Sequence, residues 1–374
     1  MVETLKFQGR LDDEPIQFLD QNGQRHTSQT HEFLEPYLSE LTSEKLRESY
    51  QDMRVMREFD IAATALQRQG KLALYVPLRG QEAAQIGSQL AIGDKDMVFP
   101  SYREHAVAYK QGVDLRDILK LFVGTHHGGG WDPLAHNFHL YTLVIGSHTL
   151  HATGYAMGIQ RDGLVANVDP EKNECVFVYF GDGSTSQGDV NEAFGFAAVN
   201  EAPVVFFCQN NQWAISVPVT KQTKVPIARR ALGYGFPGIR VDGNDVLASY
   251  AVSRYASEHT KNGKGPVLIE AVTYRMGAHT TSDDPTRYRT SAEEEHWRQR
   301  DPIDRLEKYL RENNLWDQGL ATESDEKAKD LAAGVREFVL NLPTPEFASG
   351  FNRVYATAHQ QITRELADYR KNGY

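Results

Sequence analysis

Cysteine is nearly absent: Cys175 and Cys208 are the two in 374 residues. Both stand in apolar, strand-like runs, so they read as buried reduced thiols rather than as a disulfide framework. Long hydrophobic runs are also missing. None approaches the roughly 18 residues that would cross a bilayer. The opening MVETLKFQGRLDDEP has no apolar segment of the secretory kind. A cytoplasmic location with no membrane partner is the expectation. Nor is there an excess of base, since 50 acids face 40 lysines and arginines for a net charge of −10. Binding a phosphate backbone wants a basic face, so no nucleic acid is expected as a partner. A small anionic ligand remains open, because it needs only local positive potential. The chain carries no internal repeat and no low-complexity segment.

What is present is a globular composition, 40% hydrophobic and 24% charged. That is enough for one large domain with appendages, or for two. Residues 1 to about 45 mix acids, Gln, Gly and Thr with weak periodicity and read as an extended arm. From Ser43 to Gln69, apolar residues recur at helical spacing (Met53, Met56, Phe59, Ala63, Leu66), and Gly70 ends the run. Further helices are expected over 81–92, after Pro100, and over 115–124. Between Gly124 and Gly146 the chain is rich in Gly, His and Asn, and a patternless stretch of that length is uncommon unless it is functional or disordered. Apolar strands then alternate with helices. The strands are CVFVYF, PVVFFC, GIRVDG and PVLIEAVTY, with helices near 187–200 and over VLASYAVSRYASEH. Apolar strands alternating with helices predict an α/β fold, a parallel sheet flanked by helices on both faces. From Ala292 onward the chain reads helical, charged and amphipathic. The expected division is an arm over 1–45, an α/β domain over 46–300 and a C-terminal helical region over 301–374.

In an open parallel sheet, ligands sit beyond the carboxyl ends of the strands. Two strand ends carry suitable groups. GDGS (Gly181, Asp182, Gly183, Ser184) follows one, and Asn210–Asn211 follows the next, with Asn211 29 residues after Asp182. That spacing is about one strand–helix–strand unit, and a right-handed crossover brings the two ends together. An Asp carboxylate, an Asn amide oxygen and a backbone carbonyl suit magnesium, which keeps few protein ligands and prefers phosphate oxygens beside them. Glycines let the backbone approach a diphosphate, and Ser184 with the amides of a helix start can donate to it. A lone GDG is most often a turn or a cap. The paired arrangement is far more specific, and it matches the thiamine diphosphate fingerprint. A nicotinamide fingerprint would need GxGxxG, and here the second position is an acid.

The chain resembles the alpha subunit of the thiamine diphosphate-dependent 2-oxo acid dehydrogenases, the decarboxylating first component of the pyruvate and branched-chain complexes. The motifs that carry the resemblance are QGKLALYVPLRGQEAAQIGS, FPSYREHAVAY, the GDG–NN unit, GIRVDGNDV and TYRMGAHTTSDDPTRYR, from about Leu41 to about Trp316. It implies the thiamine diphosphate-binding fold. By position, Tyr102 and Arg103 would lie at the cofactor, with Arg103 near its diphosphate. Leu143 and Ile145 would lie against the aminopyrimidine, Ile145 holding the cofactor bent. Asp182, Asn211 and the carbonyl of Trp213 would hold magnesium. His279 would be the active-site histidine, with Arg275 beside it in the same cofactor-binding loop. Read from composition alone, YRMGAHTTSDDPTRYR is a mobile polar loop at a strand end, a usual place for catalytic groups, and Asp283 and Asp284 could pair with Arg287 and Arg289. Thr280 stands where animal members carry a phosphorylated serine, and that regulation is not expected. The histidines at 126, 127, 136, 139, 148 and 151 have no clean zinc spacing. Of these, His127 or His148 is expected near the cofactor.

Thiamine catalysis needs an acid at the pyrimidine ring nitrogen, and one-chain thiamine enzymes supply it from a second homologous domain. Only one sheet domain with the GDG–NN unit is apparent. The resemblance implies that the acid comes from a separate beta subunit, in an assembly of two alpha and two beta chains. Decarboxylation of a small 2-oxo acid would be followed by acyl transfer to the lipoyl group of an acyltransferase second component. Motif wording favours branched-chain 2-oxo acids such as 2-oxoisovalerate over pyruvate. An acetoin-cleaving enzyme and a non-enzymatic binding module are the alternatives. The N-terminal arm and C-terminal helices are expected at subunit contacts.

Overall fold

The computed structural model describes residues 14–27, 29–124, 130–343 and 346–372. Its main sheet has five strands: β1 (Met97–Phe99), β2 (Val176–Gly181), β3 (Val204–Asn210), β4 (Gly238–Asp242) and β5 (Val267–Val272). Their spatial order is β1-β2-β3-β5-β4, and every neighbouring pair is parallel. The chain steps outward from β1 to β3, skips to the far edge at β4, and returns to insert β5 beside β3. The direction of winding therefore reverses next to β3, which in an open α/β sheet opens a crevice at the strand ends.

The strands are apolar at successive positions because both faces are covered. With a side-chain period of two, Phe177, Tyr179, Val205, Phe207 and Ile269 point into one core. Val176, Val178, Phe180, Val204, Phe206 and Leu268 point into the other. The second core is closed by two helices, Ser147–Arg161 and Gly188–Val199, through Ala152, Ala156, Ala193 and Phe194. The first is closed by the helices Ser43–Arg68, Glu82–Gln89 and Val246–Lys261. The long helix Ser43–Arg68 begins at Thr42, whose side chain accepts from the Lys45 amide, and buries Leu46, Met53, Met56, Phe59, Ala63 and Leu66. Full burial of each such large side chain contributes about 1.5–3 kcal/mol before ordering entropy is set against it.

The principal strands and helices agree with the sequence expectation within a few residues. Among the elements with no such signal are β1, the helix Ser147–Arg161, and a two-stranded antiparallel ribbon formed by Trp213–Ala214 and Val217–Pro218. The arm differs too. Among its described residues, Gln29–Leu34 and Glu35–Leu38 are helical, and Phe18, Leu19 and Leu34 are fully buried. Ile16 bridges in parallel to Val241 at the sheet edge. Asp245 explains the docking. One of its oxygens accepts from the Phe18 and Leu19 amides at 2.7 and 2.6 Å, and the other caps the helix Val246–Lys261. The segment from residue 14 thus packs on its own chain. At the other end, the helices Pro302–Glu312 and Gln318–Leu340 put Ile303, Leu306, Leu310, Leu320, Val335 and Val339 into the first core. Buried Arg305 pairs with Asp242 of β4 at 2.8 Å. The apolar faces of these segments are thus used within the chain. The amphipathic helix Gln360–Asn372 has no buried residue.

Candidate active site

Beyond the carboxyl ends of β2 and β3 lies a cavity of about 390 Å³. Its walls come from distant parts of the sequence: the Ser101–Glu104 turn after β1, the segment with Leu143 and Ile145, the turn after β2, the segment after β3, and His279 with Thr280 after β5. Tyr102, Arg103, Leu143, Ile145, Gly181, Asp182, Gly183, Ser184, Asn211, Trp213 and His279 all line it. Parallel strands bring their carboxyl ends to one edge, so residues from 101 to 279 converge there.

Arg275 departs from this set. It is fully buried and does not line the cavity. Its Nη1 donates to the Trp213 carbonyl at 2.8 Å, and its Nη2 to the Ile215 carbonyl at 2.8 Å and to the Tyr288 hydroxyl at 3.0 Å. It organises the wall from behind, because a guanidinium has five donors and the loop around it presents carbonyls.

His279 is held between two cations. Its Nδ1 is 3.3 Å from Arg103 Nη2 and 3.3 Å from Arg275 Nη1. Both neighbours can only donate, so Nδ1 is the acceptor and the neutral ring carries its proton on Nε2. Burial first, and then the charges of Arg103 and Arg275, lower its pKa to about 3. The ring is neutral at ordinary pH. Arg103 also donates to the His279 carbonyl at 3.0 Å and to the Pro77 carbonyl.

The loop carrying His279 is pinned rather than free. The Thr281 amide donates to the Tyr75 carbonyl at 2.9 Å, and the Tyr75 amide to Thr281 Oγ1 at 3.0 Å. Asp283 accepts from the His279 amide at 2.9 Å and from the Tyr288 hydroxyl. Arg289 donates to the carbonyls of Arg275 and Gly277. Of the expected self-pairings, Asp284–Arg287 forms, at 3.7 Å.

Asp182 is 2% exposed, and burial pushes its carboxyl up to about 6. Its Oδ2 accepts from Gln222 Nε2 at 2.7 Å. A buried carboxylate whose close partner is a neutral amide favours a cation beside it. Asn211 Oδ1 has one long bond, 3.4 Å, from the Trp213 amide. The Trp213 carbonyl has one lone pair engaged by Arg275. These oxygens fit a hard cation. On the anion side, Arg103 belongs to the cavity wall. Gly181 leaves open space where a Cβ would stand. Gly183 is demanded by packing, because a Cβ there would come within 2.8 Å of Ala214 Cβ. The residues present fit a diphosphate held through a magnesium ion.

The histidine-rich stretch contributes less than expected. His126 and His127 lie outside the described residues. His148 is buried, does not line the cavity, and its Nε2 stands 2.7 Å from the Tyr179 carbonyl. His139 stacks on Phe99. Among the described residues no cluster of three His, Cys, Asp or Glu side chains could hold a metal. Sequence reasoning missed Gln81, Glu104 and Gln209, which line the cavity. Glu104 stands inside the SYRE motif, but nothing in its spacing marks it as buried.

Comparison with known proteins gives a consistent picture. The family model described as dehydrogenase E1 component matches residues 50–339. The 3-methyl-2-oxobutanoate dehydrogenase subunit alpha of Mycobacterium tuberculosis (strain ATCC 25618 / H37Rv) is 43% identical over 371 residues, covering 96% of this chain and 95% of the relative. The pyruvate dehydrogenase E1 component subunit alpha of Staphylococcus aureus (strain N315) is 39% identical, covering 87% and 84%. That of Staphylococcus epidermidis is 39% identical, covering 96% and 93%.

Proposed function

The chain belongs to the dehydrogenase E1 component family, thiamine diphosphate-dependent 2-oxo acid dehydrogenases, and on that premise we propose that it is the alpha subunit of an enzyme for branched-chain 2-oxo acids such as 2-oxoisovalerate. The observation that carries the enzymatic reading is the convergence of Arg103, Asp182, Asn211 and His279 on one cavity at the strand ends. The substrate choice rests on the greater identity to the 3-methyl-2-oxobutanoate dehydrogenase subunit, 43% against 39%. The Staphylococcus relatives support pyruvate as the second reading.

Asp182 and Asn211, with the Trp213 carbonyl, are the proposed magnesium ligands. Arg103 and the amides of Gly183 and Ser184 are the proposed diphosphate donors. When bound, thiamine diphosphate supplies the electron sink that lets a 2-oxo acid lose carbon dioxide. The protein's own part is binding, orientation and proton placement. Leu74, Val76, Leu143 and Ile145 give the cavity an apolar side, which keeps water from the reacting atoms. His279 presents Nε2–H as a donor while the two arginines occupy its Nδ1, so it orients an anionic or carbonyl oxygen and is not a general base at Nδ1.

Among the described residues lining the cavity, the carboxylates are Asp182 and Glu104. Asp182 is assigned to the metal. Glu104 already accepts from Ser101 and Gln209. Neither is available as the acid at the pyrimidine nitrogen, which supports an acid supplied by a beta subunit in an assembly of two alpha and two beta chains. At the mouth, Leu143 and Val144 are 60% and 72% exposed, an apolar lip that a partner chain would cover. The acyl group would pass to a lipoyl-bearing second component. A cytoplasmic setting is part of the proposal; among the described residues no helix is long and apolar enough to cross a membrane.

The test is turnover by this chain plus a beta subunit, with thiamine diphosphate, magnesium and a dye acceptor, on pyruvate, 2-oxoisovalerate, 2-oxoisocaproate and 2-oxo-3-methylvalerate. The branched acids should be preferred. A preference for pyruvate would keep the mechanism and overturn the substrate, and turnover by this chain alone would overturn the half-site reading.

A further inference from the structure

Glu104 is 1% exposed and belongs to the cavity wall. Its Oε2 accepts from the Ser101 amide at 2.8 Å, the Ser101 hydroxyl at 2.9 Å and the Arg103 amide at 3.2 Å. Its Oε1 accepts from Gln209 Nε2 at 2.6 Å. Gln209 lies on β3, two residues before Asn211, and Gln209 Oε1 accepts from Gln85 Nε2 at 3.0 Å. Gln85, on the helix Glu82–Gln89, also donates to the Arg103 carbonyl at 3.1 Å and accepts from the Ala106 amide at 3.0 Å.

The polarity of this chain of bonds is decided by the backbone. A peptide N–H only donates and a peptide carbonyl only accepts. The Ala106 amide therefore fixes Gln85 Oε1, and the Arg103 carbonyl fixes Gln85 Nε2. Gln209 must then turn its oxygen to Gln85 and its NH2 to Glu104. The remaining partners of Glu104 include two backbone N–H groups, so both its oxygens receive hydrogen bonds. Burial pushes its carboxyl up, and the bonds from Ser101 and Arg103 pull it back. Its charge stands in the same wall as the Arg103 guanidinium.

We infer that Glu104 is a positioning residue: an ionised, acceptor-only carboxylate that, through Gln209 and Gln85, locks the Tyr102–Arg103 turn to the end of β3. It thereby sets the anion-binding arginine in register with the metal-binding asparagine. The inference deepens the proposed function and rests on it. It also assigns this buried acid to geometry and not to proton delivery.

The logic can be tested by exchanging the two side chains. Glu104→Gln places an amide NH2 among donors. Gln209→Glu puts two carboxylates in contact. In the double variant Glu104→Gln/Gln209→Glu, the amide now at position 104 turns its oxygen to Ser101 and Arg103. Its NH2 faces the carboxylate now at position 209, and every donor again meets an acceptor. Each variant is assembled with the beta subunit. Magnesium-dependent thiamine diphosphate binding is measured by calorimetry, and apparent cofactor KM and kcat at saturating cofactor by turnover. Each single variant should weaken binding about tenfold or more, while kcat at saturation stays within about threefold; the double should return to within about threefold of wild type. A double variant that folds where Glu104→Gln does not would also support the network. Wild-type binding by Glu104→Gln, or a double no better than the worse single, overturns it. Ser101→Ala keeps the carboxylate and removes one donor, and should weaken binding about threefold. Unchanged binding there, together with an unfolded Glu104→Gln and an unfolded double, also overturns the network. Absence of cofactor binding by the wild-type assembly would instead overturn the functional reading beneath it.

Discussion

His279 Nδ1 is 3.3 Å from a nitrogen of each of two buried arginines, and Asp182 is a buried carboxyl with a folded pKa of about 6. Both residues were legible as candidates, the first from the resemblance and the second from GDG after an apolar strand. Their protonation states were not, because burial and neighbouring charge set them and neither is a property of adjacent sequence. The proposed metal role of Asp182 has two consequences. Asp182→Ala should abolish magnesium-dependent cofactor binding in calorimetry, and wild-type-like binding would remove Asp182 from the ligand set. The pH dependence follows from the sign of the shift. Magnesium binds the carboxylate, protons compete for it, and the folded pKa lies above the ordinary value. Affinity should be full above about pH 7 and fall by about tenfold per unit as pH drops below about 6, measured by magnesium titration at fixed cofactor.

At the scale of elements, the turn after β2 and the ribbon after β3 form one unit. Gly183 approaches Ala214 so closely that a Cβ would stand 2.8 Å from the Ala214 Cβ, and Gln222, beyond the ribbon, reaches back to Asp182. Gly183→Ala should therefore displace the ribbon, costing about 1–3 kcal/mol in thermal or denaturant unfolding, with weaker cofactor binding. Ala214→Gly in the same chain should recover most of that loss, and a pair of purely additive effects would show that the contact is not the cause. The ribbon had no sequence signal because its strands are two residues long. The 274–289 segment illustrates the converse. Its polar composition reads as mobile, yet the carbonyl of Tyr75, from far earlier in the chain, accepts the Thr281 amide and closes it. The GIRVDGNDV motif belongs to structure as well. Asp242 pairs with Arg305 and Asp245 holds Phe18 and Leu19, and neither acid lines the cavity, so the wording of this motif is a poor guide to specificity.

Across the whole molecule, segments from both ends of the chain pack around a sheet that buries both its faces. From residue 14 the arm packs at the edge beside β4, and the helices Pro302–Glu312 and Gln318–Leu340 pack on the long helix Ser43–Arg68. Among the described residues, apolar side chains left open near the cavity include Ile215 and the lip at Leu143 and Val144. If the beta subunit covers this lip, Val144→Asp should leave the fold and melting temperature of the isolated chain unchanged, because the side chain is 72% exposed. It should weaken assembly with the beta subunit by about tenfold or more, on the order of 1.4 kcal/mol, in sedimentation analysis. Unchanged assembly would place the interface elsewhere.

The amino-acid sequence by itself determined the α/β class, the long first helix, the positions of the four longer strands and the GDG–NN pair. It could do so because these depend on periodicity and on residue types within short reach of one another. It also marked most of the cavity wall, since a strand end announces where a ligand can sit. The tertiary structure decided the rest. It placed Arg275 behind the wall and not in it, packed the described part of the arm and the helices Pro302–Glu312 and Gln318–Leu340 into the molecule's own core, and joined Glu104, Gln209 and Gln85 into one network. Each of those outcomes turns on groups far apart in the chain meeting at fixed distances, and only the packed chain sets those distances.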